Sequence, residues 1–254
     1  MSDLQEDEYP NEGATLSLCG DSFFYSGTAM SCGRVQDTIG IPHEQEYDHR
    51  AGGDITNYVI LGPRNHYFRC TRPRGGNVAA INNSDLEDYE DLVVFLDEHD
   101  VERPDILSLG VNGHYFIRAE NGEEKWDLPA DVSKKLFAKP TSISPVASVW
   151  LGCGDAFVAQ RKDGTKVVEL NGQYPGLEAT LEKGSVVSMA MNLQDGVGYA
   201  VLWANGTAQC EVGMLRMDSG KALVRWCAAN GVALEGVVDG CGDCKHSSEV
   251  TAST

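Results

Sequence analysis

One pattern of glycine and aromatic residues recurs at a near-constant spacing along this chain, and a repeat of this kind restricts the possible architecture more than composition does. The clearest copy, at positions 109–122, reads Leu-Gly-Val-Asn-Gly-His-Tyr-Phe-Ile-Arg-Ala-Glu-Asn-Gly. A second copy begins 42 residues later at Leu151, and a third begins at Leu193 after the same interval. An earlier copy begins at Leu61 and a fainter one at Leu16. The sequence therefore predicts about five tandem units.

Within the copies, short apolar segments are separated by turn signals, which is typical of β-strands. Three copies carry Asn-Gly or Asp-Gly at one register, the strongest local signal for a β-hairpin. These dipeptides are Asn121-Gly122, Asp163-Gly164 and Asn205-Gly206. We expect type I′ turns there, and we expect glycine at positions 62, 110 and 152 because a side chain would clash.

Helices are predicted between some copies. Ser84 and Glu87 have the spacing of a capping box, and apolar residues follow at helical spacing, which predicts a helix over roughly residues 85–98. A short helix is predicted over 129–137 and a longer one over 215–230.

A three-stranded unit with one apolar face cannot bury that face alone, so successive units must pack side by side. We therefore predict an all-β fold, a β-propeller-like ring of about five repeats of roughly 42–48 residues with short helices between some of them. A β-sandwich is the alternative, since short strands at regular spacing serve both folds. The predicted parts are a disordered acidic tail (1–14), a repeat domain (15–213), a closing helix and strand (214–239) and a flexible tail (240–254). The predicted repeats lie near 15–56, 57–103, 104–145, 146–185 and 186–213.

The pattern Leu-Gly-x-x-Gly-His-Tyr-Phe followed by Asn-Gly resembles the blade repeats of β-propellers with five to seven blades. It is similar to the Gly…His…Leu…Asp-Gly repeats of the RCC1-like family and to the repeats of tachylectin-type lectins, over about residues 15–213. The glycine that follows the third strand of RCC1-like blades is missing here. The resemblance implies a ring that binds other molecules, and it carries over neither a ligand nor a catalytic residue.

The formal net charge of -18 disfavours binding to nucleic acid and to anionic membranes. Residues 1–10 are acidic where a secretory signal would be basic and then apolar, and no stretch of eighteen apolar residues occurs. We therefore expect a cytoplasmic protein.

Two His-Tyr pairs at equivalent positions are the first candidate ligand-binding groups: His66-Tyr67 and His114-Tyr115. They could form repeated pockets for a sugar or a peptide. Alternatively, the aromatic ring packs between units while the histidine hydrogen-bonds within its own unit. The aromatic residue recurs in copies that lack the histidine, which favours the second interpretation.

A basic cluster of Arg69, Arg72 and Arg74, with Arg64 nearby, is the second candidate binding group. It could dock a carboxylate, a phosphate or an acidic peptide, or it could neutralise the acidic helix that follows.

Cys241 and Cys244, with His246 nearby, have the spacing of a zinc knuckle or a redox pair. A second ligand pair at a defined spacing is missing, which favours incidental cysteines in a solvated tail. The sequence predicts no cofactor and no metal.

No nucleophile elbow, phosphate-binding loop or zinc-protease motif appears, so no residue is nominated as catalytic. We predict a non-catalytic intracellular binding or scaffold module for protein interaction. The alternatives are lectin-like carbohydrate binding at repeated inter-blade pockets, and a hydrolase or lyase that uses the central channel. The expected partner is a protein or a glycan.

Overall fold

The computed structural model describes most of the repeat region. The described residues are 14–19, 22–26, 30–34, 45–48, 55–72, 80–84, 86–101, 103–137, 144–211, 213 and 218–238. The predicted tails lie outside these ranges except for Ala14, and so do Arg74 and the motif formed by Cys241, Cys244 and His246.

The described chain is mostly β-structure, arranged in small sheets that follow one another in sequence. Sheet 1 contains β1 (Thr15–Cys19), β2 (Ser22–Ser26), β3 (Met30–Arg34) and β4 (Gln45–Asp48). Sheet 2 contains β5 (Ile55–Leu61), β6 (Tyr67–Arg72) and β7 (Ala80–Ser84). Sheet 3 contains β8 (Pro104–Leu109), β9 (Tyr115–Ala119) and β10 (Glu124–Asp127). Sheet 4 contains β11 (Val146–Leu151), β12 (Phe157–Arg161) and β13 (Lys166–Glu169). Sheet 5 contains β14 (Val186–Met191), β15 (Tyr199–Trp203), β16 (Thr207–Glu211) and β17 (Ala233–Val238).

Successive strands pair antiparallel in every sheet, and the exception is β17, which pairs parallel with β16. In sheets 2 to 5 the register shifts by one residue near the start of the first strand. A bulge at the same place in four sheets gives each first strand the same added twist.

The segments between the sheets include the helices α1 (Glu90–Glu98), α2 (Ala130–Phe137) and α3 (Leu177–Leu181). A further helix, α4 (Asp218–Ala229), connects β16 to β17 within sheet 5. The predicted capping box is wrong, because Ser84 ends β7 opposite Tyr67 and α1 starts only after Tyr89, whose side chain makes no capping hydrogen bond. Burial of Leu92 and Phe95 against the sheets stabilises this helix instead. No helix in the described ranges is long and apolar enough to cross a membrane.

Each hydrophobic cluster takes side chains from two successive sheets. Tyr115 of sheet 3 packs with sheet 2 and α1, whereas its neighbour Phe116 packs with sheet 4 and α2, since successive side chains of a strand point to opposite faces. One cluster joins the last sheet to the first, where Tyr25 of sheet 1 packs with Trp226 of α4 and with sheet 5. Every sheet therefore contributes to two clusters, and each large side chain buried this way contributes about 1.5–3 kcal/mol.

Serine hydroxyls join the first strands of neighbouring sheets. The bonds run from Leu61 N–H to Ser17 Oγ (2.8 Å), from Leu151 N–H to Ser108 Oγ (3.0 Å) and from Leu16 N–H to Ser188 Oγ (2.9 Å). The last of them connects β1 to β14, so it links the two ends of the series of sheets.

The predicted Asn-Gly and Asp-Gly hairpins are confirmed, but their turn type differs from the prediction. In sheet 3 the turn has positive φ at Gly122 (87°) and not at Asn121, whose side-chain oxygen accepts a hydrogen bond from Glu123 N–H at 2.9 Å. This is a type I turn followed by a left-handed glycine, which also forms tight hairpins. Sheets 4 and 5 repeat it, with left-handed glycines at Gly164 and Gly206.

The glycine after the first strand in sheets 2 to 4 has an extended backbone, so close packing requires glycine there. A methyl group on Gly152 would lie 2.7 Å from the Met191 side chain and 2.8 Å from the Tyr174 hydroxyl. The equivalent contacts to the next sheet are those of Gly62 with Leu109 (3.2 Å) and of Gly110 with Leu151 (3.0 Å).

We expect Gly152→Ala to lower the free energy of unfolding by about 1–3 kcal/mol, because the added methyl overpacks the contact between sheets 4 and 5. Urea denaturation measures this. Gly184→Ala is the control, since a methyl there meets nothing closer than Trp203 at 3.9 Å, and it should be neutral or slightly stabilising. Equal effects of the two substitutions would contradict the close-packing explanation.

Candidate functional site

The loops between the first and second strands of sheets 2 to 5 lie at one end of the sheets, because the first strands all end around one cavity. We call residues 62–66, 110–114, 152–156 and 192–198 the loop face. In each loop the first N–H donates to the last carbonyl: Gly62 to His66, Gly110 to His114 and Gly152 to Ala156 at 2.7 Å, and Asn192 to Gly198 at 2.8 Å. This shared backbone defines equivalent positions, so the grooves between neighbouring loops can be compared directly.

The groove between the loops of sheets 2 and 3 is filled by Asp88 and Tyr89, which lead into α1. The Tyr89 hydroxyl donates a hydrogen bond to Gly110 O at 2.7 Å, and its ring meets the His66 ring edge-on at 5.6 Å. Asp88 Oδ2 lies 3.2 Å from His66 Nε2 and accepts a hydrogen bond from Arg64 at 3.0 Å. The chain's own side chains therefore close this groove.

The groove between the loops of sheets 4 and 5 is filled by Gln173 and Tyr174, which precede α3. The Tyr174 hydroxyl accepts a hydrogen bond from Cys153 N–H at 2.7 Å and donates one to Asn192 O at 2.6 Å. Tyr174 has φ 51°, which aromatic residues rarely adopt, and its N–H donates to Gly196 O at 2.5 Å. These bonds hold the residue in a strained conformation.

The groove between the loops of sheets 3 and 4 differs, and we call it the open groove. Leu128 and Pro129 stand before α2, where Asp88 and Tyr89 stand before α1. A cavity of about 10 Å³ lies in this groove. Its lining includes Gly110, Val111, His114, Pro129, Gly152 and Asp155.

Two backbone groups of the open groove lack a hydrogen-bond partner in the described part of the chain. In the groove of sheets 4 and 5, Cys153 N–H and Asn192 C=O hold the Tyr174 hydroxyl. At the open groove the groups in the equivalent positions are Val111 N–H and Gly152 C=O. No described group forms a hydrogen bond with Val111 N–H or with Gly152 C=O. No described hydroxyl group therefore bridges the two loops here, as the Tyr174 hydroxyl bridges those of sheets 4 and 5.

His114 also differs from its counterpart in sheet 2. His66 is 6% exposed and faces Asp88, as described above. The Nδ1 atom of His114 is buried and has no hydrogen-bond partner among the described residues, and Asp127 Oδ1 lies 3.9 Å away. An unsatisfied buried polar atom costs about 1–3 kcal/mol. The His114 side chain as a whole is 24% exposed and lines the open groove.

The structure separates the other predicted site residues from the open groove. Tyr67 (7% exposed) and Tyr115 (1%) are buried in clusters between sheets. Arg69 is half-buried, while the side chain of Arg72 and the whole of Arg74 lie outside the described part. His114 is the predicted site residue that lines the open groove.

The filling tyrosines, Tyr89 and Tyr174, were not predicted as site residues. Burial raises the pKa of both hydroxyls, so they stay protonated and able to donate at neutral pH. Each follows a polar residue and precedes a short helix, but this position alone does not identify a groove-filling role from the sequence.

A second cavity, of about 40 Å³, lies among the first strands of all five sheets. Its described lining is apolar apart from Ser17 and Ser108, whose hydroxyls accept the bonds between strands described above. No carboxylate or histidine belongs to that lining. No group of three or more His, Cys, Asp or Glu side chains that could hold a metal occurs within the described ranges.

Comparisons with known proteins place the chain in no family. No protein-family model matches it, and no curated protein matches it. Among solved structures it is similar to the crystal structure of selenomethionine-substituted virginiamycin B lyase from Staphylococcus aureus, with 12% sequence identity and a TM-score of 0.24. The match covers 77% of this chain and 68% of that chain.

We expect Tyr174→Phe to lower the free energy of unfolding by about 1–3 kcal/mol, because it leaves Cys153 N–H and Asn192 C=O unpaired. Tyr115→Phe is the matched control, since the buried Tyr115 hydroxyl has no partner in the described structure and its removal should be neutral or stabilising. Urea denaturation of both variants measures the difference. Similar losses in the two variants would show that the Tyr174 hydroxyl does not bridge the loops.

Proposed function

We propose that the five sheets close into a ring as a five-bladed β-propeller. Support comes from packing, because every sheet contributes to two clusters and β1 lies beside both β5 and β14. In a β-sandwich two sheets would share one core, whereas separate clusters between successive sheets favour a ring.

On this scaffold, the protein serves as a non-catalytic binding module, and a segment of a partner protein binds in the open groove. One observation carries this proposal. Of three equivalent grooves on the loop face, the chain fills two with its own residues, Asp88-Tyr89 and Gln173-Tyr174. It leaves the third with a cavity, unpaired backbone groups and the His114 ring, to which no described residue hydrogen-bonds.

The fillers of the two closed grooves are peptide segments, which favours a peptide as the ligand of the third. Carbohydrate binding at repeated pockets would require equivalent open pockets, and Tyr89 and Tyr174 occupy the equivalent positions. A hydrolase or lyase in the central cavity would require acid–base groups, and the described lining offers serine hydroxyls that already accept hydrogen bonds.

The charge of the molecule favours a partner with basic residues beside the bound segment. The chain carries a formal net charge of -18, and the carboxylates of Asp127 and Asp155 are exposed at or near the open groove. Charge complementarity raises the association rate of such a partner and lowers that of acidic competitors.

A random peptide library displayed on phage, selected on the purified protein, tests the proposal. The variant Pro129→Tyr places a tyrosine before α2, as Tyr89 stands before α1. We expect the selected peptides to bind this variant at least about tenfold more weakly, because a peptide would first have to displace the new tyrosine from the groove at a cost of more than about 1.4 kcal/mol. Lys162→Tyr is the control, since it adds a tyrosine at the exposed turn at the other end of sheet 4. Affinities are measured by calorimetry.

Two outcomes would contradict the proposal. Equal binding of the selected peptides to Pro129→Tyr and to the wild type would place peptide binding elsewhere on the protein. Binding on a glycan array that Pro129→Tyr abolishes, with no selected peptide, would assign the groove to carbohydrate.

A further inference from the structure

We infer that the open groove recognises a tyrosine side chain preceded by an amide side chain, as in Gln-Tyr or Asn-Tyr. The inference rests on the proposed function and specifies its ligand. It follows from what the two closed grooves contain and what the open groove lacks.

The tyrosine is inferred from the hydroxyl contacts. In the groove of sheets 4 and 5, one phenol accepts from Cys153 N–H and donates to Asn192 C=O, at 2.7 and 2.6 Å. Val111 N–H and Gly152 C=O occupy the equivalent loop positions at the open groove. A hydroxyl satisfies both, because it donates and accepts at once. A methyl or a phenylalanine ring satisfies neither.

The size of the cavity agrees with a hydroxyl group. About 10 Å³ admits one group the size of a water molecule. The half-buried side chains of Val111, His114 and Pro129 form the edge at which the rest of the ligand lies. A phenol therefore inserts its hydroxyl and leaves its ring against apolar and imidazole surface, as the Tyr89 ring lies against His66.

The preceding residue is inferred from the histidine. In sheet 2, Asp88 comes directly before Tyr89 and lies 3.2 Å from His66. Beside the equivalent His114, Leu128 stands in place of Asp88, and no described residue hydrogen-bonds to the imidazole. Asp127 Oδ1 at 3.9 Å and the nearby carboxylate of Asp155 would repel another carboxylate.

A neutral amide avoids that repulsion, and it can donate to or accept from the imidazole whichever tautomer is present. The Gln173-Tyr174 pair is the chain's own example of such a sequence in an equivalent groove.

The test uses two probes, N-acetyl-Gln-Tyr-amide and N-acetyl-Gln-Phe-amide, titrated into the full chain while NMR follows the amide signals of the open groove. We expect the tyrosine probe to shift the His114 and Cys153 amides and to bind about three to ten times more tightly than the phenylalanine probe, the range that one net hydrogen bond supplies.

Val111→Pro separates the hydroxyl contact from general packing, because it removes the donor N–H and keeps an apolar side chain of similar size at this position. The loop accepts proline here, since Pro63 holds the equivalent position in sheet 2 with the same 2.7 Å loop bond. We expect the variant to lose the preference for the tyrosine probe and to bind the phenylalanine probe as the wild type does. Pro63→Val, at the filled groove, should leave both affinities unchanged. Thermal unfolding checks that both variants are folded.

Equal binding of the two probes to the wild type, or an equal loss of both in Val111→Pro, would overturn the inference. So would the absence of shifts in the groove amides. The two proposals fail distinguishably. Library peptides that bind the open groove without a preference for tyrosine would uphold the binding module and reject this ligand. Library peptides that bind Pro129→Tyr as tightly as the wild type would reject the open groove as the binding site, and both proposals with it.

Discussion

The structure depends on the fact that each small sheet has apolar side chains on two faces and covers neither by itself. Every sheet therefore needs a neighbour on each side, and each cluster that results belongs to two sheets at once. The helices between the sheets lie within these clusters and bury their apolar sides there. Glycines such as Gly152 let the sheets approach closely, and the serine hydroxyls fix the position of one first strand against the next.

Much of the secondary structure could be predicted because hairpins and strands are encoded locally. Antiparallel strands lie within each predicted repeat, and the left-handed glycines mark the predicted hairpins. The start of α1 could not be predicted from the capping pattern at Ser84, because the pairing of Ser84 with Tyr67 across the sheet overrides a local helix signal. Likewise, Met191 stands opposite Tyr199, where the repeat spacing suggested Leu193, since the loop of sheet 5 is longer.

The sequence predicted only part of the open groove. The repeat identified His66 and His114 as equivalent. The structure shows that their surroundings differ, because Asp88 lies against His66 and no described residue takes that place beside His114. That difference arises from segments between the repeats, where the spacing is irregular and alignment gives no guide. The tyrosines that fill the other grooves come from the same irregular segments, so their role emerges only from contacts between residues distant in sequence.

The contact between the last sheet and the first can form only after the residues of both have been synthesised. The Tyr25 hydroxyl donates to the Ser219 carbonyl, a partner 194 positions further along the chain. At a synthesis rate of about 5–20 residues per second, sheet 1 waits roughly 10–40 s for α4. During that time the face that will receive Trp226 is bare, and closing so long a loop is slow. Between the synthesis of sheet 1 and that of α4, this face of sheet 1 is therefore open to a chaperone or to a second nascent chain.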